Sequence, residues 1–144
     1  MVLRSLLLAT LVALGPTAAH AEIARIKSAS GPAVVKRGAA NLPAKVGQTL
    51  LPGDLLETGK TGRIAVTFID NTRFAVGPNS RVAVSKFDYD RTRAQGSFVT
   101  QVSRGSLAVV SGKIAKSGKD AMKVQTPTSL LGVRGTRFIV EVPQ

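Results

Sequence analysis

From Glu22 onward, apolar and polar residues alternate in short bursts and do not recur at helical spacing. Ile64, Val66 and Phe68 fall on one face of an extended segment, with Arg63, Ala65 and Thr67 on the other. Asp70 to Thr72 marks a turn, Phe74 and Val76 resume the apolar face, Gly77 to Ser80 marks another turn, and Val82 and Val84 follow. Similar bursts cover Ile23 to Ala29, Val34–Val35, Leu55–Leu56, Phe98 to Val102, Leu107 to Val110, Met122 to Val124 and Phe138 to Val142. The polar run Asp88 to Gly96 reads as an exposed hairpin tip. No window sustains apolar residues at i, i+3, i+4 and i+7, and Gly or Pro interrupts the chain about every ten residues. The pattern predicts a single all-β domain of about ten short strands, built as a sandwich, a roll or a short β-solenoid.

The first 21 residues follow a different logic. Arg4 precedes an apolar run from Leu6 to Leu14, Gly15–Pro16 breaks it, and Ala19 and Ala21 stand at the spacing of a signal-peptidase site. The expectation is a signal peptide over residues 1–21, cleaved after Ala21, and a mature all-β domain over residues 22–144. The apolar run is shorter than the roughly 20 residues a bilayer span requires, and no later segment reaches that length. Without cysteine the N-terminus cannot be lipid-modified, and no twin-arginine pair precedes the run. The product is expected in the periplasm or secreted, with no stable membrane span after cleavage. Cleavage would remove Arg4, one of 20 basic residues, and none of the 8 acidic ones, taking the net charge from +12 to +11.

Composition then narrows the chemistry. The one histidine, His20, lies in the expected signal peptide, and the chain has no cysteine. Imidazole bases, cysteine nucleophiles, thiolate or imidazole metal sites and disulfides are thereby excluded from the mature domain. No cofactor, no metal and no catalytic residue is expected. Gly53 to Thr61 resembles a phosphate-binding loop only superficially, because five residues rather than four separate Gly53 from Gly59–Lys60. Asp88 and Asp90 share a strand face but sit in a polar hairpin, and Asp54 after Pro–Gly reads as a turn former. A serine hydrolase with a lysine partner is the weakest reading, since nothing points to a pair.

The basic surplus attracts anionic envelope material such as lipopolysaccharide or wall polymers. Export, together with one tyrosine and five phenylalanines as stacking platforms, argues against nucleic acid. Arg63, Arg73 and Arg81 each open a near-identical R-x-A-V segment. If consecutive strands paired in register, the three would form a row able to bind an anion. The alternative is that they are solvated or paired with Asp70, Asp88 or Asp90, around a small-residue face that packs on a second layer. Arg91 and Arg93 add charge at the hairpin tip, and Arg134 sits between Gly132 and Gly135, where positive φ is available.

At this last motif the sequence resembles the FecR domain family. The resemblance rests on "GPAVVKRG" (31–38), the run from Gly47 to Ser80 with Pro52, Gly53, Asp54, Thr58, Gly59 and Asp70, "RGSLAVVSG" (104–112), and the terminal Gly132, Val133, Arg134, Gly135 and Thr136. It implies an all-β extracytoplasmic domain without catalytic residues. The family's namesakes are membrane-anchored regulators that relay a receptor signal to a cytoplasmic sigma factor. This sequence shows neither an anti-sigma segment nor an internal transmembrane helix nor a receptor-contacting domain, so direct sigma-factor control is not expected to carry over. Two functions follow as expectations. One is a protein-interaction module in envelope signalling or assembly, binding another envelope protein through a strand edge and the Arg134 turn. The other is recognition of an anionic envelope polymer through Arg63, Arg73, Arg81, Arg91 and Arg93.

Overall fold

The computed structural model describes Gly15, residues 21–135 and residues 137–144. The expected signal peptide therefore lies almost wholly outside the described residues, as does Thr136. Among the described residues twelve strands and one short helix follow in order: β1 (Ala24–Ser30), β2 (Ala33–Arg37), β3 (Ala40–Pro43), β4 (Thr49–Leu50), β5 (Leu55–Thr58), β6 (Arg63–Phe68), β7 (Arg73–Val76), β8 (Arg81–Asp90), β9 (Gln95–Val110), α1 (Lys113–Ser117), β10 (Met122–Gln125), β11 (Leu130–Val133) and β12 (Arg137–Val142). The all-β expectation holds, and the roll is the form it takes. Among the described residues the strand pairs are antiparallel except β9 with β10, which excludes a solenoid of parallel rungs.

Strand β9 joins two layers. Its first half pairs with β8 and β10, its second half with β7 and β12. One layer runs β4–β1–β6–β7–β9–β12, and the other runs β3–β2–β5–β8–β9–β10–β11. Alternation predicts two strands here, Phe98 to Val102 and Leu107 to Val110, where the structure has one of 16 residues. Phe98, Thr100 and Val102 point inward at even positions, whereas Leu107 and Val109 point inward at odd ones. Gly105, at φ +83°, absorbs that change of parity. A β-carbon there would collide with Ser80 and with the carbonyl of Asn79, so the bend is also a close crossing of chains. Strand β8 makes a similar adjustment between Val84 and Lys86, after which Phe87 takes the inward face.

The core lies between the layers. Phe68 and Phe74 come from one layer, Phe87 and Phe98 from the other, and the rings of Phe68 and Phe98 are 4.7 Å apart. Phe68 also meets Phe74 at 4.7 Å and Phe87 at 5.4 Å. Ile64, Val66, Val76, Val82 and Val84 are buried around them, as alternation requires.

Helix α1 was not anticipated. Five residues are too few to show a helical period, and its start is secured from far away in sequence. The carboxylate of buried Asp70 accepts hydrogen bonds from Ile114 N at 3.2 Å, Thr72 N at 3.0 Å and Thr72 Oγ1 at 2.8 Å. The Asp70 carbonyl accepts from Lys113 N at 2.9 Å. Asp70 is thus a turn residue and a remote helix cap rather than a partner for the arginines. No described helix is long and apolar enough to cross a membrane.

Because Phe98 bridges both layers, Phe98→Ala is expected to cost about 3–5 kcal/mol. Urea unfolding of the variant against wild type checks this; a loss under about 1 kcal/mol would mean the rings do not hold the layers together.

Candidate interaction surfaces

The turn between β4 and β5 is built from Leu51 to Asp54. Pro52 supplies the fixed φ of its second position, Gly53 at φ +89° the third, and Asp54 N closes it onto Leu51 O at 3.2 Å. Asp54 does more than form the turn. Its carboxylate is 1% exposed, accepts from Leu51 N at 2.9 Å, and receives both Arg37 Nε (2.9 Å) and Nη2 (2.7 Å). The hydrogen bond to Asp54 raises the Arg37 guanidinium above its already high ordinary value. Thr58 is equally internal. Its hydroxyl donates to Gly77 O at 2.6 Å and accepts from Ser80 N at 2.9 Å, fixing the chain where it crosses from β7 in one layer to β8 in the other. Gly59 N donates to Pro32 O at 2.8 Å. Pro52, Gly53, Asp54, Thr58 and Gly59 are therefore parts of the frame.

The expected arginine row does not form. β6 and β7 are an antiparallel hairpin, and Arg63 and Arg73 each open a strand, so they stand at opposite ends: Arg63 beside Ser30, Arg73 beside Thr67. Arg81 lies in the other layer, because β8 pairs with β5 and β9 and not with β7. There it shares Glu57 with Lys36 and Arg104, at N···O distances of 3.9, 3.1 and 3.7 Å. Arg91 and Arg93 are exposed at the β8–β9 hairpin tip, where Arg93 approaches Asp90 at 3.9 Å. Among the described residues Arg63, Arg73, Arg91 and Arg134 make no ion pair.

A different row appears on the outward face of the β4–β1–β6–β7–β9–β12 layer. Arg25, Thr67, Arg73, Val110 and Arg137 are direct cross-strand neighbours on successive strands. Three arginines therefore stand on alternate strands, about 10 Å apart. That is close to the screening length of physiological salt, so their mutual repulsion is modest. Beside it runs a row of small residues, Ser28, Ala65, Ala75 and Ala108, ending at Ile139. The alanines leave two shallow depressions of about 590 and 360 Å³, with Arg73 and Arg137 at the rim of one and Arg63 and Glu141 at the rim of the other. The sequence predicts that this alanine face packs on a second layer with arginines at its rim; instead Ala75 is exposed and the face is open, and only the arginine rim is found. Sequence reading missed Arg25 and Arg137, whose only signal is outward parity in strands remote from the R-x-A-V repeat.

The layers also differ in how they end. β4 has two residues, and β3 ends in Pro43. β12 has six, contains neither proline nor lysine, and among the described residues pairs on one side only, with β9. Its Ile139 is 68% exposed, and Leu130 and Leu131 of the other edge, β11, are 62% and 44% exposed. Between β11 and β12 lies an open groove of about 520 Å³, lined in part by Leu131, Val133, Phe138, Ile139 and Val140. Gly132 sits within β11 opposite Lys123, and Val133 is buried opposite Met122. Only Gly135 of the two motif glycines has positive φ (+60°), which corrects the expectation of left-handed backbone on both sides of Arg134. Arg134 is exposed at the turn and lines the groove.

The family model described as FecR protein matches residues 54–144. Among solved structures, one titled "Cell surface anchoring domain" is similar at 25% identity over 44% of this chain and 84% of that chain, with a TM-score of 0.42. Comparison with curated proteins finds no match.

Asp54→Ala would leave Arg37 without its carboxylate and remove a turn acceptor. A loss of about 2–4 kcal/mol is expected, nearer the lower bound because Arg37 is partly solvated. Chemical denaturation measures it, and unchanged stability would return Asp54 to a mere turn former.

Proposed function

Because the chain belongs to the FecR protein family, we propose that it is an exported, non-enzymatic interaction module of the cell envelope. The observation that carries this reading is the open edge of β12. A six-residue strand with an exposed isoleucine and an unpaired side is a template for another strand. Main-chain hydrogen bonds would supply affinity, and the groove beside Phe138, Val140 and Leu131 would select side chains. The Arg134 turn borders the same groove and is placed to contact whatever enters it. The N-terminal segment fits export, with a cleavage site after Ala21 and a product in the periplasm or beyond. Neither the turn motif nor the arginines form a reacting constellation, and the Asp54 and Asp70 carboxylates are occupied inside the frame.

A second reading, binding of an anionic envelope polymer, draws on the row Arg25, Arg73 and Arg137. The spacing along that row suits a repeating anion better than Arg63, Arg73 and Arg81 could, since those three do not share a line. Arg91 and Arg93 project from a separate tip and would add attraction without geometry.

The test is retention from envelope extract on the immobilised protein, purified from cells expressing the full chain, at about 50 and about 300 mM salt. The span matters because solvent-exposed charge contacts are screened over it. Wild type is expected to hold a defined protein at the higher salt, and Ile139→Asp to lose it. Equal retention by both forms, or none by either, would sink the strand-edge reading. Release of all bound material by salt, together with loss in Arg73→Gln/Arg137→Gln, would instead establish the polymer.

A further inference from the structure

We infer that the partner of β12 is a second copy of the same chain, joined edge to edge in antiparallel register about a two-fold axis through Ile139. The inference rests on the strand-edge reading above and names its partner. In antiparallel pairing, directly opposed residues share a face, so only registers whose paired numbers sum to an even value keep inward residues inward. Centring on Ile139 opposes Arg137 to Glu141, Phe138 to Val140 and Ile139 to itself. All three pairings are complementary. Opposite charges face each other at both ends, and the half-buried Phe138 gains an apolar neighbour on the core side. Ile139, 68% exposed in the single chain, is covered by its own counterpart.

The neighbouring registers fail on the same criteria. Centring on Phe138 sets Arg137 against Ile139, and centring on Val140 sets Ile139 against Glu141. Each puts a charge opposite the exposed isoleucine and forfeits the two charge pairs. An in-register parallel pair would stack Arg137 on Arg137 and Glu141 on Glu141. One register of one orientation is therefore favoured.

The surrounding surface agrees. The row Ser28, Ala65, Ala75, Ala108 and Ile139 would run on through the axis into the same row of the copy, turning two shallow faces into one broad one. The pairing is isologous, so it closes on itself and does not propagate. It leaves Leu130 of β11, which is exposed and outside the groove, uncovered.

The chain has no cysteine, which gives a clean background for the test. Ile139→Cys places two thiols opposite each other at the axis, within the distance of a cross-strand pair. On mild oxidation it is expected to form a covalent dimer several-fold faster than Lys60→Cys, in a distant turn. Light scattering of wild type at about 100 µM is expected to give twice the chain mass. Arg137→Glu and Glu141→Arg each oppose like charges to themselves and are expected to be monomeric alone. Mixed, they complement each other across the axis and are expected to form a heterodimer. Monomeric wild type, cross-linking no faster than the Lys60→Cys control, single variants that stay dimeric, or variants that do not associate on mixing would each overturn the inference. If a charge variant fails to fold, the cross-linking rates decide the question alone. Should the copy fail while Ile139-dependent retention from extract persists, the strand edge stands with a different partner; if both fail, the edge is not the site.

Discussion

The structure depends on one strand serving two layers. β9 runs from the second layer into the first, and it can do so only by exchanging which of its side chains face the core. An ordinary strand holds parity along its length, so a continuous 16-residue strand would drive either Phe98 and Val102 or Leu107 and Val109 into solvent. The positive φ at Gly105 resolves that conflict with one residue. The bend is held from outside as well as within. Ser106 N donates to Ser80 Oγ at 2.9 Å, and Ser80 Oγ donates to Ser106 O at 3.2 Å, so the β7–β8 crossing and the β9 bend brace each other. Thr58 then ties that crossing to β5. The polar residues in the interior thus sit where the chain changes layers, and their hydrogen bonds are what make the change affordable in an interior that tolerates few unpaired groups.

The layer exchange also explains why the arginines fall where they do. Three R-x-A-V segments look equivalent in sequence, but the chain turns back on itself after the first and changes layers after the second. Antiparallel return separates Arg63 from Arg73 along the strand, and the crossing sends Arg81 to the opposite side of the domain. The same topology assembles a row from Arg25, Arg73 and Arg137, residues spread over most of the chain. Basic residues on a sheet face are therefore sorted by strand order, and sequence proximity is a poor guide to their grouping.

Which side of each strand faces inward was legible in the sequence, because period-two alternation is imposed locally by the core. Ile64, Val66, Phe68, Phe74, Val76, Val82 and Val84 were all placed correctly on that basis. The turn at Pro52–Gly53 was legible for the same local reason. What escaped was every feature whose partner is distant. Asp54 reads as a turn former until Arg37, 17 residues back, is seen to meet it. Asp70 reads likewise until it is found capping a helix 44 residues on. Helix α1 carries almost no signal of its own, since its start depends on that cap and its inward face on the two residues Ile114 and Ala115. β9 reads as two strands in sequence because the alternation loses its parity between Val102 and Leu107.

A rolled sheet that does not close must leave edges, and each edge presents unpaired main-chain groups. Here β4 is too short to offer a template, and β3 ends in a proline that cannot donate to a ladder. β12 has neither protection. It carries an exposed isoleucine at its centre and opposite charges two residues to either side, in a chain that is otherwise strongly basic. Were β12 meant only to be kept from pairing, a lysine or proline at position 139 would suffice, and the chain uses both residue types elsewhere. An apolar centre flanked by Arg137 and Glu141 would instead favour a strand of matching pattern over others. The matching pattern nearest at hand is β12 itself, read in the opposite direction.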